Sequence, residues 1–227
     1  MKKIGIIGGL SPESTLYYYK KFIEISRQRF EPYFFPELMI YSINFHEFMN
    51  NAWEGRKEIL IKAAKSLEKA GAQIIAISAN TPHKVFPDVA KSVNVPMLSI
   101  IDAIANEAKK QEINKLLLLG TKTTMSEPFY KEALRGKGFE VFVPGEEEMD
   151  KVHSIIFDEI IAGKILESSK LFLIKLIEKY RNEKGIEGVI LGCTELPLII
   201  KAGDVSVKVL DSAEIHVKAL IEKSMKD

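Results

Sequence analysis

Short, unbroken apolar runs alternate with longer amphipathic segments along almost the whole chain, and that alternation limits the folds open to it. The runs are 3–8 (KIGIIG), 37–43 (ELMIYSI), 74–78 (IIAIS), 96–100 (PMLSI), 115–119 (KLLLL), 139–143 (FEVFV), 187–192 (EGVILG) and 206–210 (SVKVL). They are continuous rather than alternating, the pattern of parallel strands buried on both faces. Between them, 55–70 places Ile59, Ala63, Leu67 and Ala70 on one helical face. Further helices are expected over 12–29, 102–111, 126–137, 146–162, 167–182 and 212–224. The predicted class is α/β: two pseudo-symmetric domains, each a mainly parallel sheet flanked by helices.

The division into two comes from a weak internal repeat. "KKIGIIGGLSPEST" (2–15) parallels "NKLLLLGTKTTMSE" (114–127), which matches Gly8 to Gly120. "IIAISANTPHKVF" (74–86) parallels "VILGCTELPLII" (189–200), which matches Ala79 to Cys193 at nearly the same offset. The boundaries that follow are 1–100 plus 206–227 for the first domain and 101–205 for the second. The last strand and helix are expected to return to the first half.

Composition excludes several roles. Thirty-two basic and 31 acidic residues leave a net charge of +1, so there is no electrostatic footprint for nucleic acid. No stretch is long and apolar enough to span a membrane, and the short apolar run after Lys2-Lys3 does not make a signal peptide. A single cysteine rules out an internal disulfide and fits a reducing compartment, so a cytoplasmic protein is expected.

Ligands of open α/β sheets bind beyond the carboxyl ends of the strands. Four polar loops lie at such ends: 8–15 (GGLSPEST), 78–83 (SANTPH), 120–126 (GTKTTMS) and 192–197 (GCTELP). Each leads into a predicted helix, whose first N–H groups favour an anion, and two halves folded face to face would gather the loops around a small carboxylate. Gly5, Gly8 and Gly9 spell G-x-x-G-G rather than the dinucleotide fingerprint G-x-G-x-x-G. Cys193 ends an apolar strand just ahead of Thr194-Glu195-Leu196-Pro197. A thiol at a helix start is expected to have a lowered pKa and to serve as nucleophile or general base, against the alternative of an inert core cysteine. The four histidines, 46, 83, 153 and 216, have no metal-ligand spacing, so no metal is predicted. His83 reads as a helix-start histidine satisfied by backbone or solvent in preference to a cleft residue.

The strings "IGIIGGLSPEST", "SANTPHKV", "LLGTKTTMSEPFYKE", "GVILGCTELPLII" and "DSAEIHVKAL" together resemble the aspartate/glutamate racemase family over essentially the whole chain. The likeness is nearest to its aspartate and broad-specificity amino-acid racemase branch. The resemblance implies a racemase that needs no cofactor. Two thiols would flank the substrate Cα, one removing the proton and the other delivering one to the opposite face. It implies an amino-acid or dicarboxylate substrate and a homodimer. By position, Cys193 matches the second catalytic cysteine, and Asn80 and Thr81 match the Asn-Thr pair after the first. Ser11, Thr121, Thr124, Thr194 and Glu195 fall in the substrate-binding loops.

The first catalytic position holds Ala79, which has no proton to exchange. This departure is compatible with an engineered substitution, with a racemase that uses water or another side chain on that face, or with a one-thiol relative of the decarboxylase kind. The exact chain is therefore expected to be impaired as a racemase. The alternatives are a single-thiol decarboxylase and a non-catalytic dicarboxylate-binding protein. For the distal carboxylate of an acidic substrate, Lys122, Lys164 and Asn50 are candidates.

Overall fold

The computed structural model describes residues 1–225, and residues 226–227 of the expected first domain lie outside the described residues. The chain forms two compact units, Met1–Ala103 with Ala213–Asp227, and Ile104–Ser212. Each carries a four-stranded parallel sheet flanked by helices, as the sequence predicts.

In the first unit β1 (Ile4–Gly8), β2 (Leu38–Ser42), β3 (Ile74–Ile77) and β4 (Met97–Leu98) take the order β2-β1-β3-β4. Its helices are α1 (Pro12–Arg29), α2 (Phe45–Asn50), α3 (Trp53–Lys69) and α4 (Phe86–Lys91), with a 3-10 turn over Thr81–Val85. Period-two alternation splits the sheet into two greasy faces. Ile7, Ile75 and Ile77 pack with Leu60, Ala63, Ala64 and Leu67 of α3. That face is rotated slightly from the expected one, leaving Ala70 exposed at the helix end. Ile4, Ile6, Ile74 and Ala76 pack with Tyr18, Phe22 and Ile25 of α1. Burying each of the isoleucine, leucine and phenylalanine side chains stabilises the fold by roughly 1.5–3 kcal/mol.

α5 (Ile100–Lys110) starts in the first unit and continues from Ile104 in the second. There β5 (Lys115–Gly120), β6 (Glu140–Phe142), β7 (Gly188–Gly192) and β8 (Lys208–Asp211) repeat the strand order as β6-β5-β7-β8. Ile7 lies opposite Ile77 in one sheet and Leu119 opposite Leu191 in the other, so the repeat read from sequence is a repeat in space. The expected helix over 126–137 is two short ones, α6 (Lys122–Ser126) and α7 (Pro128–Arg135). Pro128 disfavours helical backbone at the residue before it and opens the second helix at its first position. α8 (Glu146–Ser154) runs into a π-helical turn, Ile155–Ile160, and α9 (Glu167–Lys184) precedes β7. Leu117, Leu119, Val189 and Leu191 pack against Val152, Ile155, Ile156, Leu173 and Ile177 of these helices.

One expectation is corrected. The strand expected to return to the first half pairs in parallel with β7 instead, Ile190 opposite Leu210. Only the helix after it, α11 (Ser212–Ser224), joins the first unit, where Ala213, Val217, Leu220 and Ile221 cover β1 and β3. An apolar strand pairs with whichever sheet edge is free beside it, and its own pattern does not say which.

Candidate functional site

The first unit presents two turns at the carboxyl ends of β1 and β3. After β1 the chain bends at Gly9, whose φ of +76° places any Cβ within 2.4 Å of the Ile43 carbonyl oxygen, so only glycine fits. The Gly9 N–H donates to Thr15 Oγ1 at 2.8 Å. Ser11 caps α1: it is buried, and its Oγ accepts from the Ser14 N–H at 3.2 Å. Ser14 Oγ in turn donates to the Ser78 carbonyl at 2.5 Å, and Ser78 Oγ to the Ile7 carbonyl at 3.0 Å. The loop after β1 and the end of β3 are thus tied by buried hydroxyls. Ser14 and Ser78 escaped the sequence reading, although Ser14 stands three residues after Ser11, the spacing of a capped helix start.

Ala79 follows β3, half-buried against the α3-side core. Asn80 is buried and Thr81 half-buried where the 3-10 turn begins. His83 is buried and fully used by backbone: Nε2 accepts from the Ile100 N–H at 3.0 Å, so Nδ1 carries the proton and donates to the Ala79 carbonyl at 2.8 Å. Burial lowers its pKa from 6.5 to about 4, keeping it neutral. Asn50, at the exposed end of α2, has its side-chain amide 2.9 Å from His46 Nε2.

The second unit presents the matching turns after β5 and β7. Thr121 caps α6, its Oγ1 accepting from the Thr124 N–H at 3.3 Å and lying 3.1 Å from Thr124 Oγ1. Thr124 is fully buried, with its hydroxyl against that of Thr121. Gly120 faces Gly192 across the sheet, and a Cβ on Gly192 would stand 2.9 Å from the Leu119 carbonyl oxygen. That close approach brings the Thr121 and Cys193 turns side by side.

Cys193 is buried at the mouth of β7, on the same face of its sheet as Leu191. Its Sγ–H donates to Glu195 Oε2 at 2.8 Å, and Thr194 Oγ1 donates to the same oxygen at 2.8 Å. Thr194 and Glu195 are themselves buried. The expected lowering of the thiol pKa is overturned: burial first, then the Glu195 carboxylate, push it well above its ordinary value of 9.0. Backbone N–H groups pull the other way and lose. The physical reason lies in the helix. α10 (Leu196–Ile199) is a single turn beginning three residues beyond Cys193, too short to project a useful dipole, while a carboxylate sits on the sulfur. Of the four polar loops only 8–15 opens a long helix.

The lysines considered for a distal carboxylate both belong to the second unit. Lys122 Nζ is 2.5 Å from Asp150 Oδ1 in an exposed ion pair that raises its pKa. Lys164 is exposed beyond the π-helical turn. The Lys122 N–H is taken by His153 Nδ1 at 3.3 Å. Among the described residues no group of three or more His, Cys, Asp or Glu side chains is arranged to hold a metal ion. No described helix is long and apolar enough to cross a membrane.

The family model described as Asp/Glu/hydantoin racemase matches residues 7–220. Among curated proteins, the chain is 25% identical to the broad-specificity amino-acid racemase RacX of Bacillus subtilis, covering 96% of each. It is 31% identical to the glutamate racemase of Aquifex pyrophilus over 68% of this chain and 59% of that one. Among solved structures, an aspartate racemase homologue from Pyrococcus horikoshii superposes with a TM-score of 0.93 at 63% identity, all of both chains being covered. The aspartate racemase of Picrophilus torridus follows at a TM-score of 0.74 and 26% identity, with 100% of this chain and 96% of that one covered.

Proposed function

Since the chain belongs to the Asp/Glu/hydantoin racemase family, we propose that it acts on the Cα–H bond of an acidic amino acid, aspartate or glutamate, using side-chain groups as acid and base. One observation carries this reading. The chain's only thiol follows β7 at the sheet position that Ala79 occupies after β3 in the other unit, which supports a duplicated pair of proton-transfer positions of which Cys193 fills one.

At neutral pH Cys193 rests as the thiol, because its pKa is raised. In that form it is the acid that returns a proton to one face of a planar carbanion, and its thiolate, once formed, is the base that takes the α-proton from that same face. Alanine at 79 supplies no partner for the opposite face, so turnover between enantiomers is impaired while proton exchange on the Cys193 face survives. Ser11, Asn50, Asn80, Thr81, Thr121 and Thr194, with their backbone N–H groups, are assigned to holding the carboxylates and the charge that develops on them. Thr124 is assigned to the same role beside Thr121. The protein is expected to work in the cytoplasm as a homodimer.

The test is proton NMR of L- and D-aspartate and L- and D-glutamate in heavy water. Deuterium is expected at Cα of at least one of the four, and none with Cys193→Ser. Exchange that survives in Cys193→Ser sinks the assignment. Thermal stabilisation by the same ligands with no exchange would mean a dicarboxylate-binding protein. A second reading, a single-thiol decarboxylase, is favoured by the solitary Cys193 and the inert Ala79, and its signature is carbon dioxide release from a disubstituted malonate.

A further inference from the structure

Each sheet ends in two edge strands, β2 and β4 in the first unit, β6 and β8 in the second. Three of these edges are blunted. β4 has only two residues, and its Leu98 carbonyl is taken by His216 Nε2. β6 has three, begins with the charged Glu140, and gives its Val141 carbonyl to Arg135. β8 begins at Lys208 and ends at Asp211. Short strands and charged residues are ordinary ways in which a sheet edge is kept from pairing again. β2 uses neither. It runs five residues, Leu-Met-Ile-Tyr-Ser, without charge or proline, and without a bulge in its register with β1. The Glu37 carbonyl accepts from the Ile4 N–H, and the Ile43 N–H donates to the Gly8 carbonyl, so the odd-numbered residues face β1. The N–H and C=O groups of Leu38, Ile40 and Ser42 point to the outer edge.

The surface around that edge is apolar. Ile40 is 41% exposed, and Tyr33, Phe34 and Phe35, at the foot of the strand, are 94%, 42% and 44% exposed. Leu16 and Tyr19 of α1 are 70% and 48% exposed. Tyr19 and Phe35 line one shallow pocket of about 130 Å³ with Pro36 and Leu38. A Cβ on Gly8 would touch both Thr15 and Ile40, which places the start of α1 beside the strand. At roughly 200 Å² for a whole large side chain, the exposed parts of these six residues come to about 700 Å². That exceeds the roughly 300–600 Å² of the largest apolar patch on a typical monomer, and approaches the about 800 Å² that each partner gives to a stable interface.

We propose that this face binds a second copy of the chain, the two β2 strands pairing antiparallel across a twofold axis at Ile40. The strand is its own complement. Turned about Ile40, Leu38 meets Ser42 of the second copy and Ile40 meets its own counterpart, so every outward N–H and C=O of the strand finds a partner. No like charges stand opposite one another. Antiparallel pairing also carries the aromatic foot of one strand to the carboxyl end of the other, where Leu16 is exposed. One patch thus covers its own copy, which a foreign peptide would not do. A twofold contact is closed, so growth stops at the dimer. The expected homodimer gains a face, and the proposal rests on no catalytic role of Cys193.

Sedimentation equilibrium of the full chain without substrate, across the micromolar range, reads the oligomeric state apart from any catalytic assay. The parent is expected to be a dimer. Ile40→Lys sets two ammonium groups opposite each other on the axis and should weaken the dimer by at least about 100-fold. The double variant Tyr33→Ser, Phe35→Ser lies outside the sheet, so it decides the question even if Ile40→Lys does not fold. It should weaken the dimer by at least about tenfold with the circular dichroism unchanged. Amide exchange gives a second readout: protection of Leu38, Ile40 and Ser42 should rise with protein concentration and vanish in Ile40→Lys. A parent that stays monomeric overturns the proposal and leaves the edge to an occupant of another kind. A dimer undiminished in either folded variant, or one whose three amides exchange unprotected, overturns it too, because another face then holds the copies together.

Discussion

His83 Nδ1 lies 2.8 Å from the carbonyl oxygen of Ala79, so the turn after β3 is held from within by a buried, neutral imidazole. The same ring accepts the Ile100 N–H at 3.0 Å and stacks on Phe86 at 5.0 Å. Replacing it with an apolar residue, as in His83→Leu, leaves a buried carbonyl and a buried N–H without a partner. The expected cost is about 2–6 kcal/mol, from roughly 1–3 kcal/mol for each group. Urea denaturation midpoints of the parent and the variant measure it.

A second imidazole extends this network and makes stability depend on pH. His216 Nε2 donates to the Leu98 carbonyl at 3.0 Å and Nδ1 accepts from Tyr18 Oη at 2.9 Å, while burial and the neighbouring His83 ring lower its pKa to about 3. Both histidines bind protons more readily in the unfolded chain, where 6.5 is the ordinary value. Their neutral, buried state therefore carries no penalty above pH 6.5, and stability falls as pH drops through 6.5 toward 4 and 3. At about pH 5 the loss comes to about 2 kcal/mol per ring. Chemical denaturation at pH 7 and pH 5 should show the midpoint falling, and a flat profile across that interval contradicts the assigned protonation states.

Installing a thiol where the repeat lacks one is the direct gain-of-function test. Ala79→Cys is expected to convert exchange on one face into interconversion of enantiomers, read by chiral chromatography of aspartate and glutamate. Ala79 is half-buried, and the added sulfur is a small increment there. Folded Ala79→Cys protein that racemises none of the four would count heavily against a two-faced site.

The close approach of β5 and β7 sets the position of Cys193. In Gly192→Ala the new Cβ would meet the Leu119 carbonyl oxygen at 2.9 Å and Leu118 Cδ1 at 3.0 Å. The backbone oxygen cannot swing aside, so destabilisation of about 1–3 kcal/mol is expected. The denaturation midpoint should fall with the slope unchanged, and deuterium exchange should slow as the Cys193 turn shifts.

Removing a hydroxyl between the two turns of the first unit gives a local prediction. Ser14→Ala loses the bond to the Ser78 carbonyl and leaves that acceptor buried, at a cost of about 1–3 kcal/mol. Amide exchange in residues 78–81 should speed up relative to the rest of β3, which separates a local loosening from a global one.

Much of this was legible beforehand. The repeat of Gly8 at Gly120 and of Ala79 at Cys193 survives as equivalent register, Ile7 with Ile77 and Leu119 with Leu191. Continuous apolar runs encode parallel strands covered on both faces, and capping residues such as Ser11 and Thr121 mark helix starts locally. That the repeat matches Ala79 to the chain's only cysteine, Cys193, likewise needs no coordinates.

Tertiary structure decided what depends on groups meeting in space. β8 joined the second sheet because pairing rests on an available edge, and its apolar pattern suits either sheet. The protonation of Cys193 reversed because its pKa follows from burial and from the direction in which the Glu195 carboxylate points, and neither is written in the order of residues 193–195. His83 was committed to the Ala79 carbonyl by a partner seventeen residues further on, the Ile100 N–H that occupies its other nitrogen. Periodicity and caps are local and can be read from the chain. Pairing partners and electrostatics are long-range, and the low dielectric of the folded interior gives them their weight.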